Sequence, residues 1–353
     1  MGVSAKRSIE DARKSISEIL FAHPDEIIFT SGGTESDNLA IFGVVAAAKV
    51  SIKHPHIVTT TIEHAAVLEA CRYLEGQGIE VTYVPVESNG IVDPREIKKA
   101  IKKTTVLVSV MYANNEIGTI QPIHEIAKEI RHFKKTAGQE TYPYFHTDAA
   151  QVMNYLPVNV AKLGVDLLSF NGSKIYGPKG IGALYKKRVV SLEPLHFGGD
   201  QEYGFRSGTE PVPLVVGVAT ALRAAEKMKA KESARLAKLR DYFFKTVSKN
   251  FPSAIINGDT TLRLPNNVNV SFPGYESDFL VIELDARGIF VSGKSACKSD
   301  DGEVSHVIHA IRPDADATEG SVRFSLGRGT AKQDIDFVIT SLKEIFKKQE
   351  RYN

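Results

Sequence analysis

The sequence has few of the features that mark secreted, membrane or nucleic-acid-binding proteins. Its 353 residues include only two cysteines, Cys71 and Cys297. A disulfide scaffold is therefore excluded, and a reducing cytosol, where a lone thiol can act as a nucleophile, is expected. No apolar run approaches the roughly 18 residues that cross a bilayer, and the N-terminus lacks an apolar signal core. A formal net charge of +2 is too small to indicate nucleic acid or an anionic membrane surface. The sequence predicts a cytoplasmic protein with neither kind of partner.

What is present suits a globular protein of two domains. Apolar residues make up 42% of the chain and charged residues 24%, which is ordinary for a folded domain. Strand-like and helix-like segments alternate over the first half, a pattern typical of a parallel or mixed doubly wound sheet. A helical pattern over 209–249 joins this part to a smaller α+β part, in which we predict short strands at 267–271 and 288–291. We predict a large domain over 1–232 and a small C-terminal domain over 233–353.

A glycine-rich turn surrounds Lys174 and lies between two segments of strand length, 166–170 and 181–185. Glycine and proline at 172–180 exclude a helix, so a tight loop is predicted. A lysine held beside apolar strands should be partly desolvated, which lowers its pKa and lets the neutral amine form a Schiff base with a carbonyl. The alternative is an ordinary solvated loop lysine.

A second turn, residues 31–34, follows a predicted strand at 27–30 and precedes a predicted helix from about Glu35. This order presents free N–H groups and the positive end of a helix dipole to an anion. The spacing fits neither a Walker loop nor a dinucleotide fingerprint, so a single phosphate without a nucleotide is expected. The alternative is a plain helix N-cap by Ser31 or Thr34.

Four polar side chains, His64, Asn115, Asp148 and Lys174, lie at or just past the ends of predicted strands. In doubly wound sheets, ligands bind outside the carboxyl ends of the strands. Pyridoxal phosphate needs a lysine, a carboxylate on its ring nitrogen, a phosphate cup and a group over the ring. Asp148 is the candidate carboxylate, His64 the candidate ring cover and Gln151 a candidate partner of the phenolic oxygen. The alternatives are a helix N-cap for Asp148 and a polar strand-end cap for His64.

Distinctive motifs are spread in order over nearly the whole chain. They are FTSGGTESDN at 29–38, EH at 63–64, NNEIG at 114–118, DAAQ at 148–151, KIYGPKG at 174–180, RSGT at 206–209, SAC at 295–297 and VRFSLGR at 322–328. As a set they resemble the NifS/IscS-type cysteine desulfurases, in the class V aminotransferase-like group of fold-type I pyridoxal phosphate enzymes. The resemblance implies a large doubly wound mixed-sheet domain and a smaller α+β C-terminal domain that carries a catalytic cysteine loop.

The resemblance also implies a role for each ring-binding and substrate-binding residue. Lys174 carries pyridoxal 5′-phosphate, Asp148 pairs with its ring nitrogen and His64 covers the ring. Arg323 binds the substrate carboxylate, ideally through two parallel hydrogen bonds. Gln151 and Asn115 contact the ring-oxygen side, and Asn115 also contacts substrate.

The same resemblance implies a phosphate cup that is completed by a homodimer. One subunit supplies Gly33 and Thr34, with help from Asn171 and Ser173. Thr209 reaches the phosphate of the other subunit, so a homodimer is expected.

Cys297 is the catalytic nucleophile that the resemblance implies. It attacks the substrate sulfur, takes it as a persulfide and leaves alanine. The family relationship also allows Cys297 to ligate an iron of a cluster transiently. The implied function is a cysteine desulfurase that acts on L-cysteine and supplies an iron–sulfur scaffold or another sulfur acceptor protein. A buried structural thiol is the alternative for Cys297, whereas Cys71, in the middle of a predicted helix, is expected in the core.

The chain departs from the family pattern at several positions. Ser173 stands where the family has histidine, which predicts weaker cofactor retention, and Lys294 stands where it has glycine. Asp200 and Tyr203 replace a glycine and an arginine. The family's opening strand, with its substrate loop, is expected to be missing, so turnover should suffer more than cofactor binding. The alternatives are a selenocysteine lyase or another lyase of the same group, and a truncated non-catalytic relative that acts as a binding partner.

Overall fold

The computed structural model describes residues 2–293, 305–315 and 320–349. It divides into two compact units. The first comprises Met1–Pro85, Val92–Ala113 and Gln121–Lys229, and the second comprises Val86–Ile91, Asn114–Ile120 and Ala230–Asn353. The assignment of 1–232 and 233–353 to two domains stays a prediction.

The first unit contains a seven-stranded sheet in the order β1-β7-β6-β5-β4-β2-β3. Neighbouring strands from β3 to β6 in this order are parallel, and β7 is antiparallel to both β6 and β1. The carboxyl ends of all strands except β7 therefore lie at one edge, and the predicted mixed doubly wound sheet is confirmed. The strands are β1 Ile27–Thr30, β2 His56–Thr60, β3 Glu80–Val84, β4 Thr105–Ser109, β5 Tyr144–Asp148, β6 Leu167–Asn171 and β7 Gly182–Lys186.

Helices accompany this sheet because the intervening segments carry apolar residues at helical spacing. In the helix Ile123–Ala137, Ile123, Ile126, Ala127 and Ile130 are buried, as expected of one face of an amphipathic helix. Gly138 ends that helix in the left-handed region, at φ 65°, which glycine adopts without strain. The helices of this unit are α1 Gly2–Leu20, α2 Gly33–Ala48, α3 Ala65–Gly76, α4 Pro94–Ala100, α5 Ile123–Ala137 and α6 Val160–Leu163.

A buried ion pair joins α1 to the rest of the first unit. The Arg13 guanidinium donates to both carboxylate oxygens of Glu202, at 2.8 and 2.7 Å, and Phe29 N donates to the same carboxylate at 2.7 Å. The guanidinium also lies 5.2 Å from the ring centroid of Tyr203, a residue that departs from the family pattern. Because the charged atoms are bonded on several sides, the pair can be buried without an uncompensated charge.

The long helix α7, Val212–Asn250, begins in the first unit and ends in the second. The second unit has a three-stranded antiparallel sheet in the order β10-β9-β8. Its strands are β8 Ile255–Ile256, β9 Asn267–Ser271 and β10 Ser321–Ser325, and its further helices are α8 Ser277–Asp285, α9 His306–Ile311 and α10 Lys332–Gln349.

The predicted strand at 288–291 is wrong. Gly288 turns the chain back after α8 with φ 75°, and Ile289 N donates to Leu284 O at the end of that helix. Because this backbone is bonded to the helix end, only an isolated bridge between Ser292 and Arg323 follows.

Across the described ranges, no helix is both long and apolar enough to cross a membrane.

Candidate functional site

The carboxyl edge of the large sheet brings two predicted site segments side by side. Thr30 at the end of β1 pairs with Gly182, and Gly182 pairs with Asn171 at the end of β6. A side chain at Gly182 would place Cβ 2.7 Å from the carbonyl carbon of Gly32. Glycine is therefore required at Gly182 for the turn 31–34 to lie against the start of β7.

The turn predicted as a phosphate cup, residues 31–34, leads into the start of α2. Gly32 is the N-cap, so the alternative N-cap by Ser31 or Thr34 is wrong. Gly33 is buried and adjoins Asn171, because a Cβ on Gly33 would lie 3.5 Å from that of Asn171. A helix leaves its first N–H groups without intrahelical acceptors. With a glycine cap and a second glycine directly after it, these N–H groups are suited to a phosphate oxygen.

Arg206 and Glu35 fix the first turn of α2. Arg206 Nε donates to Glu35 Oε1 at 2.9 Å, and Ser31 N donates to Glu35 Oε2 at 2.7 Å. Burial alone would raise the pKa of Glu35, but the hydrogen bonds from Arg206 and Ser31 hold it below its ordinary value. The turn 31–34 is therefore fixed by a charged carboxylate rather than by a capping hydroxyl.

Lys174 lies in a single 3-10 turn, Gly172–Ile175, directly after β6. The prediction that glycine would exclude any helix is wrong for this short turn. Asn171 Oδ1 accepts from Ser173 N at 3.1 Å, and Asn154 Nδ2 donates to Lys174 O at 2.7 Å. The predicted partial desolvation is also wrong for this chain, because Lys174 and its neighbours Ser173 and Tyr176 are exposed. The backbone is held in place, while the amine is accessible.

Asp148, at the end of β5, is the electrostatic centre of this edge. It is 8% exposed, and one of its carboxylate oxygens accepts from Ala150 N at 2.8 Å. Burial raises the pKa of Asp148, and the Ala150 N–H and the charges of His64 and Lys174 partly offset that rise. The structure therefore brings His64 and Lys174 within electrostatic range of Asp148.

His64 is half-buried and is the N-cap of α3. Its Nδ1 accepts from Ala66 N at 3.1 Å. A neutral imidazole that accepts at Nδ1 carries its proton on Nε2. The cap proposed as the alternative is thus present, and it also fixes which nitrogen of the neutral ring can donate.

Two further candidates occupy exposed or half-buried positions of the same unit. Gln151 is half-buried in the turn after β5, and Thr209 is exposed just before α7. Ser173 is exposed, and its Oγ donates to Asn171 Oδ1 at 3.1 Å. Their roles stay predictions.

Asn115 and Arg323 belong to the second unit and lie in contact. Arg323 Nη1 donates to Asn115 O at 3.0 Å. Asn114 Oδ1 shapes this turn by accepting from Glu116 N and Ile117 N. Burial lowers the pKa of Arg323, and the nearby Glu116 charge partly offsets this. The guanidinium is thus placed by the turn that carries Asn115.

Of the two cysteines, only Cys71 belongs to the described residues. Cys71 is fully buried in α3, and burial raises the pKa of its thiol to about 12, so its predicted place in the core is confirmed. Cys297, predicted as the nucleophile, lies outside the described residues, as does Lys294. In the part of the chain that is described, no group of three or more His, Cys, Asp or Glu side chains could hold a metal ion.

A buried polar cluster beside Asp148 was not assigned a role from the sequence. His146 Nδ1 lies 2.8 Å from Ser109 Oγ, and its Nε2 lies 2.9 Å from Ser169 Oγ and 3.5 Å from Asp37 Oδ1. Burial lowers the pKa of His146 to about 3, so the imidazole is neutral and forms no ion pair with Asp37. The available signal was a histidine two positions before Asp148 in a strand that is otherwise apolar or small.

Glu63, beside His64, is also buried. Met111 N and the Thr60 hydroxyl donate to its carboxyl group at 2.9 and 2.7 Å. Burial raises the pKa of Glu63 to about 8. The two hydrogen bonds oppose this rise, and the charge of Asp148 adds to it. Several carboxyl groups therefore share one poorly solvated region.

The chain matches the aminotransferase class-V family model over residues 1–338 and belongs to that family. It is 46% identical over 347 residues to a cysteine desulfurase IscS from Dictyoglomus turgidum, covering 98% of this chain and 86% of the relative. It is 45% identical to the cysteine desulfurase IscS of Methanosarcina thermophila, covering 99% and 83%. The resemblance to NifS/IscS-type cysteine desulfurases is thus confirmed.

Solved structures agree with this family. A NifS-like protein superposes with a TM-score of 0.89 at 35% identity, covering 98% of this chain and 89% of that one. DndA from Streptomyces lividans gives a TM-score of 0.78 at 34% identity, covering 92% and 89%. A structure of SspA in complex with cysteine gives 0.76 at 34%, covering 92% and 88%.

Proposed function

We propose that this chain is a cysteine desulfurase, which takes sulfur from L-cysteine and leaves L-alanine and an enzyme-bound persulfide for iron–sulfur or other sulfur-transfer pathways. The observation that carries the proposal is the arrangement at the carboxyl edge of the large sheet. There Asp148 lies within range of the His64 and Lys174 charges, in the same sheet whose edge carries the glycine-lined start of α2. The names of the related proteins support the same activity.

The cofactor of the proposal is pyridoxal 5′-phosphate, which when bound would supply an electron sink for bonds broken at the amino acid. Lys174 would form the covalent link, and Asp148 would hold the ring nitrogen. The exposure of Lys174 and the fixed backbone of its turn suit an amine that must reach an incoming carbonyl. The phosphate would be held by Gly33, Thr34, Asn171 and Ser173, with Thr209 of the other subunit in a homodimer.

His64 is assigned to the face of the ring as a donor through Nε2, because Nδ1 is occupied by the Ala66 N–H. Gln151 and Asn115 are assigned to the ring-oxygen side. Arg323 is assigned to the substrate carboxylate. Its Nη1 is bonded to Asn115 O, while its Nε has no hydrogen-bond partner among the described residues. The buried, unpaired Nε therefore supports the assignment, since a carboxylate would complete the hydrogen bonds of the guanidinium.

Cys297 is assigned as the sulfur acceptor from the family resemblance. Its thiolate would attack the sulfur of cysteine and form an S–S bond, while the C–S bond of the substrate breaks. The carbon keeps the electron pair and is protonated, which yields alanine. The persulfide sulfur would then pass to an iron–sulfur scaffold or another acceptor protein, and Cys297 would ligate a cluster iron only transiently.

The test is incubation with L-cysteine, followed by intact-mass measurement for one added sulfur. The wild-type chain and a Cys71→Ala control should both gain it, because Cys71 is buried in the core, and Cys297→Ser should not. A Cys297→Ser chain that still gains sulfur would contradict the assigned role.

Two further readouts separate the alternatives. Loss of the absorbance near ~420 nm, expected of a lysine-bound pyridoxal group, in Lys174→Ala would argue against a non-catalytic relative. Faster release of selenide from selenocysteine than of sulfide from cysteine would favour a selenocysteine lyase instead.

A further inference from the structure

A second acidic residue, Asp37, lies on the same face of the large sheet as Asp148. His146 and Asp148 are two positions apart on β5 and so point to the same face. Their ladder partners are Ser109 on β4 and Ser169 on β6. Helix α2 packs against β4, β5 and β6 and places Asp37 Oδ1 3.5 Å from His146 Nε2.

Asp37 and Asp148 are both removed from water, at 1% and 8% exposure. Two ionised carboxylates in one poorly solvated region repel strongly, so one of them keeps a proton. Asp148 has stabilising partners for a negative charge, namely the Ala150 N–H and the charge of Lys174.

Among the described residues, Asp37 has weaker support for a negative charge than Asp148, since only a hydrogen bond from Ser169 favours its ionisation. Within the described ranges, its only ion-pair geometry is with the neutral His146, and its Oδ1 accepts no hydrogen bond. The titratable neighbours that act on Asp37 are carboxyl groups, Asp148 and Glu63, and each disfavours its ionisation when it is itself ionised. A hydrogen bond from Ser169 offsets only part of this.

We propose that Asp37 is a positioning residue for Asp148: it keeps the proton of this buried carboxyl pair, so that the negative charge stays on Asp148, the carboxylate assigned to the cofactor's ring nitrogen. The inference rests on the proposed function for the role of Asp148. Its structural part, a protonated Asp37 under α2, does not depend on that function.

The proton predicts a distinctive pH dependence of stability. Burial raises the pKa of Asp37 well above its ordinary value. In the unfolded chain the same carboxyl ionises above about 3.9. Folding therefore takes up a proton at neutral pH, and the contribution of Asp37 to stability falls as pH rises from that value towards the pKa of the folded state. Asp37→Asn removes this dependence while keeping the size of the side chain.

The first experiment measures Tm of cofactor-free wild-type and Asp37→Asn protein between pH 5 and pH 8. As pH rises, we expect the Tm of Asp37→Asn to increase relative to that of the wild type by roughly 2–4 °C per pH unit. Glu35→Gln is a matched control on the same helix, because the folded pKa of Glu35 is lowered rather than raised. Glu35→Gln should be less stable than the wild type by an amount that stays constant between pH 5 and pH 8, since the contribution of Glu35 is lost only below its unfolded pKa of about 4.3. A gap between Asp37→Asn and wild type that is constant or closes with rising pH overturns the proposal.

The second experiment reconstitutes the variants with pyridoxal phosphate and follows cofactor retention and its visible absorbance. Asp37→Ala should weaken retention roughly tenfold, the usual scale for losing a supporting residue. Asp37→Asn should restore it to within about threefold, since the neutral amide mimics a protonated acid. If Asp37→Asn fails as badly as Asp37→Ala, a negative charge is needed at this position and the proposal is wrong. Full retention in Asp148→Asn would instead contradict the proposed function and leave the stability result standing.

Discussion

Two buried histidines lie at opposite ends of β4 and are held in the same way. His56 lies 2.7 Å from Thr105 Oγ1 and 2.9 Å from Thr82 Oγ1, so it joins β2 to β4 and β3. His146 is placed likewise between Ser109 and Ser169, and joins β5 to β4 and β6. Burial lowers the pKa of His56 to about 4 and that of His146 to about 3.

The two histidines share hydroxyl partners but differ in the ionisable groups that lie near them. Near His56 the charged neighbours are the exposed Lys102 and Glu80, which pair with each other. Near His146 there are the buried carboxyl groups of Asp37 and Asp148. A neutral imidazole between two hydroxyls is therefore a general device for joining three strands. Of the two, only His146 lies at the carboxyl edge, where doubly wound sheets bind ligands, beside the carboxylate that we propose to hold the cofactor.

The largest expected difference between the surroundings of His56 and those of His146 is in turnover. Asp148→Asn should lower the rate of alanine formation roughly 10²–10³-fold, because a neutral amide cannot stabilise a protonated ring nitrogen. Glu80→Gln, the matched change near His56, should leave the rate within about twofold, since its exposed ion pair contributes little. Steady-state assays with L-cysteine measure both. Equal losses would show that the two ends do not differ in function.

Replacing either histidine tests what the two sites share. His56→Gln and His146→Gln should each lower the free energy of unfolding by about 2–4 kcal/mol, because two buried hydroxyl contacts are disturbed. Denaturant titration of the cofactor-free chain measures this loss. Only His146→Gln should also weaken cofactor retention, by roughly tenfold. A similar weakening in His56→Gln would mean that retention simply follows global stability.

The smallest expected effect is the response of the two histidines to acid. Each folded pKa lies below the unfolded value of about 6.5, so each stabilising contribution is complete above that pH and is lost as pH falls through the range down to the folded pKa. For His146, whose folded pKa is about 3, the loss at pH 5 is about 2 kcal/mol. The stability difference between wild type and His146→Gln should shrink by that amount between pH 7.5 and pH 5. A constant difference would mean that folding does not lower the pKa of His146.

Much of the fold was predictable because its strands are short apolar runs that end at turn residues. The bounds Ile27–Thr30 and Asn267–Ser271 agree with the strands predicted at 27–30 and 267–271. The error at 288–291 has the opposite cause. Its residues look strand-forming, yet Phe290 is 84% exposed and the preceding helix end takes the backbone hydrogen bonds.

The candidate site was predictable only in part. Residues at strand ends, such as Asp148 and Lys174, carry a local signal, because turn residues mark where each strand stops. The exposure of Lys174 has no local sequence signal, because exposure depends on which surfaces the rest of the folded chain leaves uncovered. Asp37 was equally hidden, because its place beside His146 is set by the strand register and by the packing of α2 on the sheet.

Helix α2 contains both Gly33, at the predicted phosphate cup, and Asp37, beside His146. A helix rises 1.5 Å and turns 100° per residue, so the four steps between these residues hold the two places about 6 Å apart along the axis. A substitution within this segment alters one contact at a time. An insertion or deletion of one residue would swing Asp37 away from the sheet and misplace the cup at once, so we expect the length of this segment to be more constrained than its composition.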